Sequence, residues 1–174
     1  MLKGEGSILR FDKKARKNIK RYVLQCTLAT VTILIMLTIF NLFTQSTIIA
    51  GLSATTFIVF TMPSRYAAQP KNFIWAYLIG IVVGVVFFLI YISIIRLFPS
   101  VPERVFYIIC GALAVGVAIF VMVITDTEHP PSVGLSLGLV IGEWNHITII
   151  MVLFCIAFMV IVKRLLRDVL IDLR

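Results

Sequence analysis

The chain has 174 residues, 60% of them hydrophobic and 14% charged, with a mean hydropathy of +1.06. That is too apolar for a soluble domain of this size and reads as an integral membrane protein folded as one bundle. The net charge of +8 does not signal nucleic acid: the basic residues crowd the two ends, as cytoplasmic flanks facing anionic lipid headgroups do, and no soluble region is left over to bind a polynucleotide.

Residues 1–21 form a basic cytoplasmic tail, with Lys3, Arg10, Lys13, Lys14, Arg16, Lys17, Lys20 and Arg21 against Glu5 and Asp12. Ile8, Leu9, Phe11, Ala15 and Ile19 are loosely spaced as one helix face, so the tail is either a surface amphipathic helix or a solvated charged segment. Residues 22–43 have spanning length, since about 20 residues at ~1.5 Å each cross a hydrocarbon core of ~30 Å. Without a small-residue cleavage site behind the basic stretch, this span is expected to be retained. Residues 47–62 are shorter, carry Gly51, Ser53, Ala54, Thr55 and Thr56, and stop at Pro63, which fits a short crossing or a re-entrant dip. The connector that follows holds Arg65 and Lys71 and is stiffened by Pro63 and Pro70. Residues 73–97 are a long span with Gly80 and Gly84 one turn apart, and 105–125 are another. Cys26, Cys110 and Cys155 each fall in an apolar run and read as small buried residues.

Residues 124–142 organise the rest. Asp126, Glu128 and His129 meet Pro130 and Pro131, which end any arriving helix and permit a new one, with Ser132 placed to cap it. Gly134, Gly138 and Gly142 recur every four residues as one stripe, against which a neighbour is expected to pack near bare backbone. Glu143, Trp144, Asn145 and His146 read as a headgroup-level turn, 147–162 as the last span and 163–174 as a second basic cytoplasmic tail. The fold expected is all-α, a polytopic transmembrane bundle over residues 22–162 with four long spans and two short or broken membrane segments. Six passes result if both short segments cross and four if both re-enter. Either way fourteen basic residues fall inside and two outside, so charge does not choose; the near-sufficient length of 47–62 favours six. A shift of sixty pairs Gly51 with Gly111, Ala54 with Ala114, Phe60 with Phe120, Met62 with Met122 and Pro70 with Pro130, an echo that would pair the two proline corners.

His129-Pro130-Pro131 at the end of a span, with Ala68-Gln69-Pro70-Lys71-Asn72 about sixty residues earlier, resembles the HPP family of integral membrane proteins. The resemblance implies about four membrane helices. It also implies handling of a small inorganic anion, because some plant and cyanobacterial members are associated with nitrite transport. The residues that match its signature are Gln69 to Asn72 and Glu128 to Pro131. Lys71 stands where the family tends to have arginine, and Ser132 where alanine is expected, so bidentate anion contacts do not follow.

The function expected is an integral membrane transporter or channel for a small inorganic anion, nitrite or a similar oxyanion, with proton coupling as an option. Its path would use Arg65, Gln69, Lys71, Asn72, His129 and Ser132, with an anion seat at the helix start near Ser132. Asp126, Glu128 and His129 would serve proton coupling or ion pairing, and Pro70, Pro130, Pro131, Gly134, Gly138 and Gly142 the structural motif. The alternative is a non-catalytic membrane scaffold or assembly subunit. An enzyme is not expected. Glu143-x-x-His146 is one pair where carboxylate-bridged metal sites need two, and Asp126, His129 and Ser132 lie in seven residues broken by prolines, without a nucleophile elbow. No cofactor or metal is expected. The partners expected are anionic lipid headgroups at both tails, the small anion and further copies of the chain; the location is a bacterial or archaeal plasma membrane with both termini inside.

Overall fold

Apolar runs punctuated by proline and glycine become helices wherever the backbone can satisfy itself internally, as a bilayer demands. The computed structural model describes residues 18–40, 46–100, 102–142 and 145–173. They contain α1 (Ile19–Phe40), α2 (Ser46–Thr61), a 3-10 turn (Tyr66–Ala68), α3 (Pro70–Leu97), α4 (Glu103–Ile124), α5 (Pro130–Ile141) and α6 (His146–Leu165). The helices α1, α3, α4 and α6 are long and apolar enough to cross a membrane, whereas α2 and α5 are shorter. The four long and two short segments expected from the sequence are all present. Nearly all of the basic tail 1–21, including its suggested amphipathic face, lies outside the described residues, as do Glu143 and Trp144.

Successive helices run in opposite directions. Gln25, near the start of α1, donates to Phe60 O at the end of α2, and Lys163, near the end of α6, donates to Pro63 O and Ala68 O. His129, just before α5, touches Thr55 of α2 and stacks against Phe73 and Tyr77 of α3. One end of the bundle thus gathers the start of α1, both connectors 62–69 and 125–129, and the end of α6. At the other end Tyr91 of α3 stacks on Tyr107 of α4, and Glu103 and Arg104 share a hollow with Ile141. Both short helices therefore run between the two ends, so all six described helices alternate in direction.

The shortest helix is the innermost. α5, twelve residues long, is wrapped by α2, α3 and α4, with Leu135, Leu139 and Val140 buried among them. Two apolar clusters flank it: Met36, Leu52, Phe60 and Met159 on one side, and Val83, Cys110, Ala114 and Met122 on the other. Close approach is set by the Gly80 and Gly84 pair on α3. A methyl at Gly80 would lie 2.6 Å from Ser132 O, and one at Gly84 2.9 Å from Ser136 O. The stripe expected on α5 itself plays a smaller part. Only Gly138 faces a close neighbour, Thr47 Cβ at 3.1 Å; Gly134 would meet nothing within 4 Å, and Gly142 lies past the last turn. The smooth surface belongs to the surrounding helices because α5 supplies the bulky side chains that fill their grooves.

The segment 163–174 is not simply a tail. Lys163 and Arg164 complete the last turn of α6, and the chain then folds back, burying Leu170 and Leu173. Leu173 N–H donates to Thr61 O at 2.9 Å, Gln25 Nε2 donates to Ile171 O at 3.0 Å, and Tyr22 OH donates to Leu173 O. Cys110 and Cys155 are buried free thiols as expected, whereas Cys26 is exposed because it lies on the outer side of α1.

Candidate functional site

The corner before α5 is built by a left-handed residue. α4 stops at Ile124, well before the prolines, because Asp126 adopts φ 51°. Asp126 N–H then donates to Val123 O at 3.3 Å and Thr127 N–H to Met122 O at 3.0 Å, the paired closure of a Schellman motif. Aspartate tolerates this region better than most residues. Its carbonyl accepts from Tyr66 OH, one of two bonds that join this corner to the 62–69 connector.

The second bond comes from His129. This residue is the N-cap of α5, is 1% exposed, and lies between the rings of Phe73 and Tyr77 with centroids 5.7 and 5.6 Å away. Nδ1 is 2.8 Å from Ala67 O; a carbonyl only accepts, so Nδ1 carries the proton. In the neutral ring Nε2 is therefore the acceptor, and Thr55 Oγ1 donates to it across 2.8 Å. Thr55 in turn accepts from Tyr77 OH at 2.7 Å, which completes a directed series from Tyr77 through Thr55 to His129. Burial lowers the His129 pKa to about 4, partly opposed by the bond to Ala67. The geometry also accepts a protonated ring. Nε2–H would donate to Thr55, whose own proton would turn to Gly51 O, 3.1 Å away, leaving every group paired.

The remaining expected site residues divide into two sets. Asn72 is buried and its Nδ2 donates to Tyr66 O at 2.9 Å, fixing the 3-10 turn. Arg65, Gln69 and Lys71 are exposed on the outside of the connector, and Asp126 and Glu128 are exposed on the facing corner. Glu128 and His129 border a 390 Å³ hollow otherwise lined by apolar groups such as Met122 and Val133. Arg65 and Lys71 do not line it.

Ser132 does not cap α5. Its hydroxyl donates back to His129 O at 2.7 Å and its N–H to the same carbonyl at 3.0 Å. Pro130 and Pro131 have no N–H to be capped, and for the same reason the start of α5 lacks the donors an anion seat requires. Pro70 begins α3 in the same way, so both proline-initiated helices leave the same end of the bundle. Among the described residues no three His, Cys, Asp or Glu side chains gather as a metal site would require. His146 opens α6 at the end opposite His129, and Glu143 lies outside the described residues.

Three important side chains escaped the sequence reading as site residues. Thr55 looked like one more hydroxyl in an apolar run and Tyr77 like one more aromatic, and both partners of His129 are distant in sequence. Lys163 looked like a membrane-end cation, yet its Nζ donates to Pro63 O at 2.9 Å and Ala68 O at 2.7 Å, clamping the connector to α6.

With the HPP triplet found at the corner that abuts the Gln69-Pro70 connector, comparison with known proteins is direct: residues 14–170 match the HPP transmembrane region. The chain belongs to the HPP family. This HPP protein is also 33% identical over 95 residues to a transmembrane protein of Dictyostelium discoideum, a match covering 55% of this chain and 30% of that protein. The HPP chain thus spans under a third of the length of that curated relative. No solved structure matches it. Family membership and the apolar helices make it an integral membrane protein, and both are consistent with a membrane transporter or channel.

Proposed function

We propose that this HPP-family protein is a proton-coupled carrier of a small inorganic anion, nitrite or a similar oxyanion. The observation that supports this reading is the Tyr77–Thr55–His129 series, a buried hydrogen-bonded chain at the meeting of the two corners that pairs fully with His129 neutral or protonated. An unperturbed histidine titrates near neutral pH, and burial holds His129 neutral in this closed packing, so loading a proton requires the corner to open and rehydrate the ring. Arg65 and Lys71 are exposed at the same end and would attract the anion. Lys20, Arg21, Lys163, Arg164 and Arg167 also lie there, with Arg96 and Arg104 at the other end, and by the positive-inside rule this excess supports a cytoplasmic placement of the site.

The test is uptake by purified protein in proteoliposomes containing a pH-sensitive dye, with nitrite, nitrate, formate and chloride offered in turn. Anion-dependent proton movement is expected for at least one oxyanion, and its loss in His129→Gln. Proton movement absent with every anion, or unchanged in His129→Gln, would overturn the proposal. The second reading, a non-catalytic scaffold, draws on a different observation: no buried side-chain polar atom among the described residues lacks a partner, and α5 is packed against glycine on α3. A scaffold would give no uptake and would be retained in a stable assembly.

A further inference from the structure

We infer that the cavity between the end of α6 and the 62–70 connector binds a phosphate-bearing anion. It measures about 530 Å³ and is lined by Ser64, Gln69, Lys163, Arg164, Arg167 and Leu170, among others. That volume lies within the range of small-molecule pockets and exceeds what a bare monatomic ion fills. Three cations converge on it. The nearby acids are Asp172, whose Oδ1 is occupied by Ser64 N–H at 3.0 Å, and exposed Asp168. Lys163 spends two of its three protons on Pro63 O and Ala68 O, so its charge is fixed in place with one donor to spare. Arg164 and Arg167 are exposed and present planar forks that match phosphate oxygens two at a time.

The surroundings favour a lipid as the source of that phosphate. Phe154, Ile161 and Leu165 make an exposed apolar strip along α6, at 58%, 55% and 76% exposure, running up to Arg164. The strip lies across α6 from Lys163, and an acyl chain laid on it would bring its headgroup to the Arg164 edge of the cavity, where basic pockets at helix ends hold anionic headgroups. A free phosphate would use the same cations without the strip. The inference does not depend on the transport reading, because it uses neither His129 nor the short helices.

The experiment uses the full chain, delipidated in a neutral detergent. Binding of dihexanoyl phosphatidylglycerol, dihexanoyl phosphatidylcholine and inorganic phosphate is measured by native mass spectrometry and by shift of the melting temperature. Saturable binding of the phosphatidylglycerol is expected, weakened at least tenfold in R164Q/R167Q, retained in part in R164K/R167K and unchanged in R96Q/R104Q at the other end. Competition by inorganic phosphate at similar concentration would assign the site to free phosphate and support the inference in that form; no competition would assign it to the lipid. Absence of saturable binding by both anions, or equal binding by R164Q/R167Q melting as the parent does, would overturn it.

Discussion

Replacing Gly80 with alanine tests the central packing claim most directly. The added methyl would sit 2.6 Å from Ser132 O, whereas an ordinary carbon–oxygen contact is about 3.3 Å, so α3 and α5 must separate by about 0.7 Å. The obstacle is a backbone carbonyl in the first turn of a short buried helix and cannot rotate aside. Overpacking of this kind costs about 1–3 kcal/mol, offset by about 1 kcal/mol from alanine's better helix propensity. Gly116→Ala removes that ambiguity. Its methyl meets nothing within 4 Å, so it carries the propensity gain alone. The difference between the two variants isolates the packing cost, about 1–3 kcal/mol, or roughly 3–10 °C in melting temperature for a chain of this size. Buried Cys110 and Cys155 provide the readout through a thiol-reactive fluorophore during heating, with exposed Cys26 as the constant background. Gly80→Ala should melt below the parent or close to it, and Gly116→Ala above. Coincident melting of the two variants would refute the close approach of α3 and α5.

Thr55→Val deprives both Tyr77 OH and His129 Nε2 of their shared partner and should cost about 1–3 kcal/mol, read in the same melting assay; no loss would mean that the series carries no stability. Burial depresses the His129 pKa from 6.5 to about 4, so the protein should keep full stability above pH 6.5 and lose it progressively as pH falls toward 4, by on the order of 3 kcal/mol, because the unfolded chain takes up the proton first. A His129→Gln variant should lack that slope. Lys163→Met leaves Pro63 O and Ala68 O without their charged donor; a loss of about 3 kcal/mol and faster proteolysis of the 62–69 connector are expected, and parent-like behaviour would show that water replaces the ammonium.

Helix number and type were legible because a bilayer leaves the backbone few choices, and run lengths separate α1, α3, α4 and α6 from the two short helices. The corner residues were also visible, since proline pairs beside acids and histidine are rare in apolar sequence. Their roles were harder to read. Asp126 looked like a proton or ion-pair group, yet its left-handed backbone is what ends α4. Ser132 looked like a cap, but the same two prolines that marked the helix start had removed the donors to be capped. Glycines repeating every four residues are equally visible on α5 and on α3, and only the direction of each face in the bundle decides which is used. Thr55 with His129, and Lys163 with Pro63, are contacts across 74 and 100 residues that no local pattern encodes.

The hydrogen bond from Leu173 to Thr61, with Gln25 and Tyr22 holding the same returning segment, has a consequence for biosynthesis. α1 and α2 are made early, but the partners that finish the ends of both arrive only after α6 has been inserted. Until then Gln25 keeps one amide bond to Phe60 and waits for the other. A released chain ending just before residue 171 would keep every helix of the bundle and leave its first hairpin unlatched.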